Sequence, residues 1–157
     1  MSIDVDENSR QGTQTTIDWK DTKPFIAPIT TGQVIKVYDG DTITVANRLN
    51  IVNDDTMYRF SVRLNGIDTP EIRGHTEDER HAAIIARDAL AVRILHKHVE
   101  IRNVKQEKYG RLLADVYIKN ENINKWLLDE GYAVKYDGGT KKSPNSWMDY
   151  RNKNRRI

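Results

Sequence analysis

Two short strand-like runs, Val34-Ile35-Lys36-Val37-Tyr38 and Thr42-Ile43-Thr44-Val45, flank Asp39-Gly40, a dipeptide that predicts a β-hairpin between them. Asp41 falls on the same side of its strand as Ile43 and Val45, which places it at the inner edge of the sheet. Farther on, Tyr58, Phe60, Val62 and Leu64 alternate with Arg59, Ser61, Arg63 and Asn65, the period of a half-buried strand with Arg63 on its polar face. Asn65-Gly66 then bends the chain just ahead of Asp68, and Pro70 ends the ladder because it has no donor. Residues 99–104 and 112–118 form another strand pair, joined through Lys108-Tyr109-Gly110-Arg111.

The period changes from two to helical after residue 76. Thr76-Glu77-Asp78-Glu79 fits a capping box, and Ala82, Ile85, Ala86, Ala89 and Val92 follow at helical spacing, predicting a helix over residues 77–96. Asn122 caps a shorter helix over residues 123–130, which Gly131 stops. The resulting fold class is α+β, mainly β: a small closed antiparallel sheet of five strands, of the oligonucleotide-binding (OB-fold) barrel type, with two to three helices packed outside. Residues 1–22 are predicted to be a disordered or loosely docked polar leader, 23–140 the barrel domain and 141–157 a basic C-terminal tail.

Length and charge narrow this picture. A chain of 157 residues suits one domain with a single core. With no cysteine, disulfides, thiolate zinc sites and a cysteine nucleophile are excluded. No basic stretch followed by an apolar run opens the chain, and no run of about 18 apolar residues occurs. The expectation is a protein without a membrane span, cytoplasmic if the chain is unprocessed. The net charge of +2 is unevenly spread: residues 1–22 carry two bases against five acids and residues 135–157 seven against two, leaving the middle neutral. Lys141, Lys142, Arg151, Lys153, Arg155 and Arg156 can attract a polyanion through counterion release, or simply keep a solvated tail soluble.

Three polar segments at strand ends carry the candidate chemistry. Asp41 and Asp68 are short carboxylates suited to a Ca²⁺-type ion, which takes six to eight oxygens and so leaves room for waters and a phosphate. Glu71, three residues beyond Asp68, is long enough to reach a water as base or orienting acceptor. Arg63 and Arg111 are phosphate clamps, because a planar guanidinium grips two phosphate oxygens at once. Singly, each segment reads as an ordinary turn or strand end. Together they point to phosphodiester chemistry, which needs charge neutralisation, a polarised water and a stabilised transition state. Trp147, in the basic tail, is a candidate base-stacking platform.

Asp39-Gly40-Asp41-Thr42, then Arg63 five residues before Asp68-Thr69-Pro70-Glu71, then Lys108-Tyr109-Gly110-Arg111 resemble the signature of the staphylococcal-type thermonucleases, over about residues 31–136. The resemblance implies a Ca²⁺-dependent endonuclease acting on DNA and RNA with little sequence preference and leaving 3′-phosphate and 5′-hydroxyl ends. It implies that Asp41, Asp68 and the Thr69 carbonyl bind calcium, that Arg63, Glu71 and Arg111 are catalytic, and that Lys108 and Tyr109 contact a terminal phosphate. Asp137-Gly138-Gly139 stands where the family has a tyrosine-containing segment that touches the nucleotide, and Tyr136 lies one position away. Single-stranded substrate and a monomer are expected. The alternatives are a catalytically weak nucleic-acid-binding or scaffold module of the same fold, and a protein–protein adaptor. A lapsed site is expected to have lost a carboxylate or an arginine, and here every position is filled.

Overall fold

The β1 (Thr31–Val37) and β2 (Thr42–Asn47) strands form the expected hairpin, with Val37 opposite Ile43. Its connection is longer than a two-residue turn: the Tyr38 amide donates to the Thr42 carbonyl at 2.9 Å. Gly40 is required here for space, since a Cβ on it would lie 2.9 Å from Thr69 Cγ2 and 3.1 Å from Ala86 Cβ. The computed structural model describes residues 15–51, 53 and 55–156. Most of the leader expectation, residues 1–14, therefore lies outside the described residues. Residues 15–22 are exposed, with one 3₁₀ turn at Trp19–Asp21.

Continuing the sheet, β3 (Tyr58–Leu64) pairs antiparallel with β2, and β5 (His98–Gln106) joins β1 to β6 (Leu112–Ile118). The strand order β3-β2-β1-β5-β6 closes on itself through β3 and β6, giving the predicted five-stranded barrel. One feature differs from an all-antiparallel sheet: β3 and β6 pair parallel, Val62 with Leu112 and Arg63 with Leu113. The reason is parity, because four successive antiparallel pairings leave the first and fifth strands pointing the same way. A small second ribbon pairs β4 (Ile67–Asp68) with β8 (Val134–Lys135), and the two-residue β7 (Glu121–Asn122) extends β6.

Val34, Ile43, Val45, Val62, Leu64, Ile101 and Val116 fill the barrel, and the helices cover it. In α1 (Glu77–Ile94) the inward face is Ala82, Ala83, Ala86, Leu90 and Ile94. The predicted stripe is thus rotated: Val92 is 84% exposed, and Ile85 and Ala89 are half-buried. An alanine-rich helix offers two apolar stripes at helical spacing, and the larger Leu90 and Ile94 decide which one faces the core. The helix ends at Ile94, two residues before the predicted end, and His96 adopts a left-handed φ of 64° beyond it. Asn122 caps α2 (Ile123–Asp129) by accepting from the Lys125 amide, and Gly131 follows with φ 73°.

A third helix, α3 (Trp147–Asn154), forms within the predicted basic tail and docks on α1. Trp147 is 4% exposed, so its ring serves packing and is not free to stack a base. Asp78, in the first turn of α1, fixes this docking: its carboxylate accepts from Ser146 Oγ and from the Trp147 amide, each at 2.8 Å. No helix among the described residues is long and apolar enough to cross a membrane.

Candidate active site

Barrel closure carries the three polar segments to one end of the sheet. The Asp41 carbonyl accepts from the Leu64 amide at 2.8 Å, which ties the β1–β2 loop to the end of β3. Gly66, with φ 81°, turns the chain from β3 into β4 and brings Asp68 back beside Asp41. Buried Asn124 locks that turn: its amide nitrogen donates to the Asn65 carbonyl at 2.9 Å and to the Ala114 carbonyl at 3.2 Å, while its oxygen accepts from the Val116 amide. Asn124 is thus a positioning residue that sequence pattern did not mark, because its partners are backbone groups 8 to 59 positions away.

A cleft of about 320 Å³ is lined by Asp39, Asp41, Arg63, Asp68, Thr69, Glu71 and Arg111, among others. Asp41, Arg63, Asp68 and Thr69 are all buried there. Arg63 Nη2 lies 3.4 Å from Asp41 Oδ2 and 3.6 Å from Asp68 Oδ1, so one guanidinium bridges both carboxylates. Its polar-face position in β3 is as expected, but that face is covered by the site instead of solvent. The second Asp41 contact comes from the Thr69 amide, which donates to Oδ2 at 3.3 Å, and Thr42 Oγ1 donates to Oδ1 at 3.0 Å.

Arg111 is gripped by a residue the sequence pattern did not single out. Its Nε and Nη2 donate to the two Glu107 carboxylate oxygens at 2.5 and 3.1 Å, and Nη1 donates to Thr42 Oγ1 at 3.4 Å. This fork holds the Nε/Nη2 edge of the guanidinium, which lines the cleft and has its longest contact at Nη1. Lys108 and Tyr109 do not line the smaller cleft. They line an adjoining one of about 700 Å³ together with Arg63, Arg111 and Tyr136, and Tyr109 is 79% exposed. Tyr136, in the larger cleft, packs its ring 5.3 Å from the guanidinium carbon of Arg63, which lines both clefts.

Glu71 stands exposed at the rim. Its amide donates to Glu79 Oε1 at 3.3 Å, and this draws the Glu79 side chain away from the reciprocal half of the capping box. Only the Thr76 half is made, with the Glu79 amide donating to Thr76 Oγ1 at 3.1 Å. Gly74 leaves room for the arrangement, since a Cβ there would lie 2.5 Å from the Glu79 carboxylate. Lys141, counted by sequence in the basic tail, also enters the site. Its Nζ is 3.1 Å from Asp68 Oδ1 and 3.2 Å from Glu71 Oε1.

Electrostatically the smaller cleft sets the carboxyl groups Asp39, Asp41, Asp68 and Glu71 among the cations Arg63, Arg73, Arg111 and Lys141. Burial, with Asp41 beside it, pushes the Asp39 carboxyl up to about 7. Burial also raises the Asp68 carboxyl above its ordinary value, opposed by Lys141 and Arg63 and reinforced by Asp41. Partial burial pulls the Lys141 ammonium down, but contact with Asp68 and Glu71 outweighs it and leaves its pKa raised. Asp68 Oδ1, although close to two cationic groups, has no hydrogen bond among the described residues. Asp41 and Asp68, two buried carboxylates bridged by Arg63, are oxygen donors of the type a hard cation takes. No group of three or more His, Asp or Glu converges as ligands among the described residues.

Comparison with known proteins bears on the family. A sequence profile described as staphylococcal nuclease homologue matches residues 61–155. The chain is similar to a thermonuclease of Staphylococcus hyicus, 36% identical over 106 residues that cover 66% of this chain and 57% of that protein. It is also similar to the protein ParB of Escherichia coli, 32% identical over 114 residues covering 67% and 56%. A third relative, an uncharacterized endonuclease of Haemophilus influenzae, is 29% identical over 106 residues covering 68% and 52%. The chain spans about half the length of the curated relatives it matches.

Proposed function

Because this chain belongs to the staphylococcal nuclease homologue family, we propose that it is a calcium-dependent endonuclease. It hydrolyses DNA and RNA phosphodiester bonds with low sequence specificity, prefers single strands and leaves 3′-phosphate and 5′-hydroxyl ends. One convergence supports this: Asp41, Asp68, Glu71, Arg63 and Arg111, drawn from three separate segments, line a single cleft. Independent surface residues have no reason to assemble in that way.

In this proposal Asp41, Asp68 and the Thr69 carbonyl hold calcium, which supplies positive charge against a phosphate oxygen. Arg63 neutralises the phosphate from the floor of the cleft, where Asp41 and Asp68 fix its guanidinium within 3.6 Å. Arg111 approaches from the other side, oriented by Glu107, and Nη1, held only by a long contact to Thr42, is the nitrogen that meets the charge growing in the transition state. Glu71 Oε orients the attacking water and accepts its proton, while the Glu79 contact holds the Glu71 backbone. Lys108 and Tyr109, in the larger cleft, receive a terminal phosphate, and Tyr136 offers its ring to a base of the same strand.

Hydrolysis of single-stranded DNA by pure protein, in calcium and in chelator, tests the proposal. Calcium-dependent cleavage with 3′-phosphate products is expected. Binding of the strand with no cleavage in either condition would move the protein to the alternative, a binding or scaffold module.

A further inference from the structure

Lys141 sits in the stretch that joins β8 to α3, and that stretch is pinned at both ends. On the barrel side the Tyr136 amide donates to the Gly66 carbonyl at 3.0 Å, and Tyr136 Oη donates to the Gly139 carbonyl at 3.0 Å. On the helix side Ser146 and Trp147 are held by Asp78. From the pinned stretch Lys141 lines both the smaller and the larger cleft.

Its ammonium is placed between two carboxylates of the smaller cleft. Nζ is 3.1 Å from Asp68 Oδ1 and donates to Glu71 Oε1 at 3.2 Å, so one ammonium serves both carboxylates. Calcium binds carboxylate oxygens at about 2.3–2.6 Å. An ammonium 3.1 Å from Asp68 Oδ1 therefore stands in the approach to that oxygen. Two cations on one carboxylate oxygen repel, and the flexible four-carbon stem of lysine gives the ammonium somewhere to go.

We propose that Lys141 is a tethered counter-ion for the cation site: it occupies Asp68 and Glu71 when calcium is absent, competes with calcium for Asp68, and is displaced when calcium binds. Resting on the calcium reading above, the exchange makes calcium affinity weaker than the carboxylates alone would set. It also frees an ammonium beside the phosphate cleft only once the metal is in place. Arg63 cannot play this part, since its guanidinium is buried and also contacts Asp41.

Isothermal titration of the whole protein with Ca²⁺, without nucleic acid, tests this. Lys141→Met and Lys141→Gln are expected to bind Ca²⁺ about three- to fivefold more tightly than the parent, the upper part of the scale for losing one partly exposed competing ion pair. Lys142→Met, which removes the same charge one position away from the carboxylates, is expected to change affinity less than about twofold. Unchanged or weaker Ca²⁺ binding in both Lys141 variants overturns the proposal, as does an equal gain in Lys142→Met. No Ca²⁺ binding by the parent overturns the calcium reading itself, a result distinct from either.

Discussion

Arg63 occupies a strand position that is ordinarily solvated, yet it is 9% exposed and lies between Asp41 and Asp68. A buried guanidinium is tolerable there because both carboxylates compensate it, and removing a partner strands a charge. Asp41→Ala is accordingly expected to weaken Ca²⁺ binding measured by titration. Arg111→Ala is expected to leave Ca²⁺ affinity nearly unchanged while slowing turnover roughly a hundredfold or more, the cost of losing a preorganised donor. Finding the reverse pattern in titration and turnover assays would refute those two roles. Asp39 gives a pH prediction. Its folded pKa of about 7 lies above the ordinary 3.8, so the folded state holds this proton more tightly. That contribution favours folding at low pH and fades as pH rises through about 7. In calcium-free buffer, Asp39→Asn is expected to melt above the parent at pH 8, with a gap that narrows toward pH 5 in thermal scans.

Among the elements, the loops and helix starts carry contacts that no local pattern announces. Gly40 illustrates this: Asp39-Gly40 signals a turn, but the glycine serves the approach of Thr69 and Ala86. Gly40→Ala is expected to destabilise by about 1–3 kcal/mol in denaturant melts, as overpacking does, and to loosen Asp41 from the Thr69 amide. The start of α1 likewise does two jobs. Glu79 leaves its half of the capping box for Glu71, and Asp78 takes both donors at the start of α3. Asp78→Ala is expected to cost about 1–3 kcal/mol, since it leaves two donors without their acceptor. Hydrogen exchange in residues 147–154 should rise with it, and unaltered protection there would show that Trp147 alone holds α3.

For the molecule as a whole, charge is redistributed by folding. The C-terminal bases look like a free polyanion-attracting tail by composition, but Arg156 pairs with Asp129 at 2.8 Å, Arg151 Nη2 donates to Tyr132 Oη at 3.2 Å, and Lys141 enters the cleft. The bases that face the larger cleft are Arg63, Lys108, Arg111 and Lys141. Single-strand binding by the Arg111→Ala protein, in which cleavage is expected to be slow, is therefore expected to fall with salt at a log–log slope of about −1.4 to −2.1, equivalent to two or three phosphates on a single strand. A slope steeper than about −4 in a fluorescence titration would mean that the rest of the C-terminal charge joins the interface.

The strands, the two capped helices and the polar segments at strand ends were readable along the chain because each depends on near neighbours: alternation, capping and turn residues act within a few positions. The same locality explains the errors. Val92 and Leu90 compete for the core face of one helix, and Trp147 looks free until α1 is placed beside it. Residue types and their order by themselves determined that metal-type and phosphate-type groups exist here and that a small barrel carries them. Only tertiary structure decided that they meet, because the parallel β3–β6 seam joins segments about fifty residues apart. Closure also brought Lys141 to Asp68 and Asn124 to the turn before it, contacts set by through-space distance that no spacing along the chain encodes.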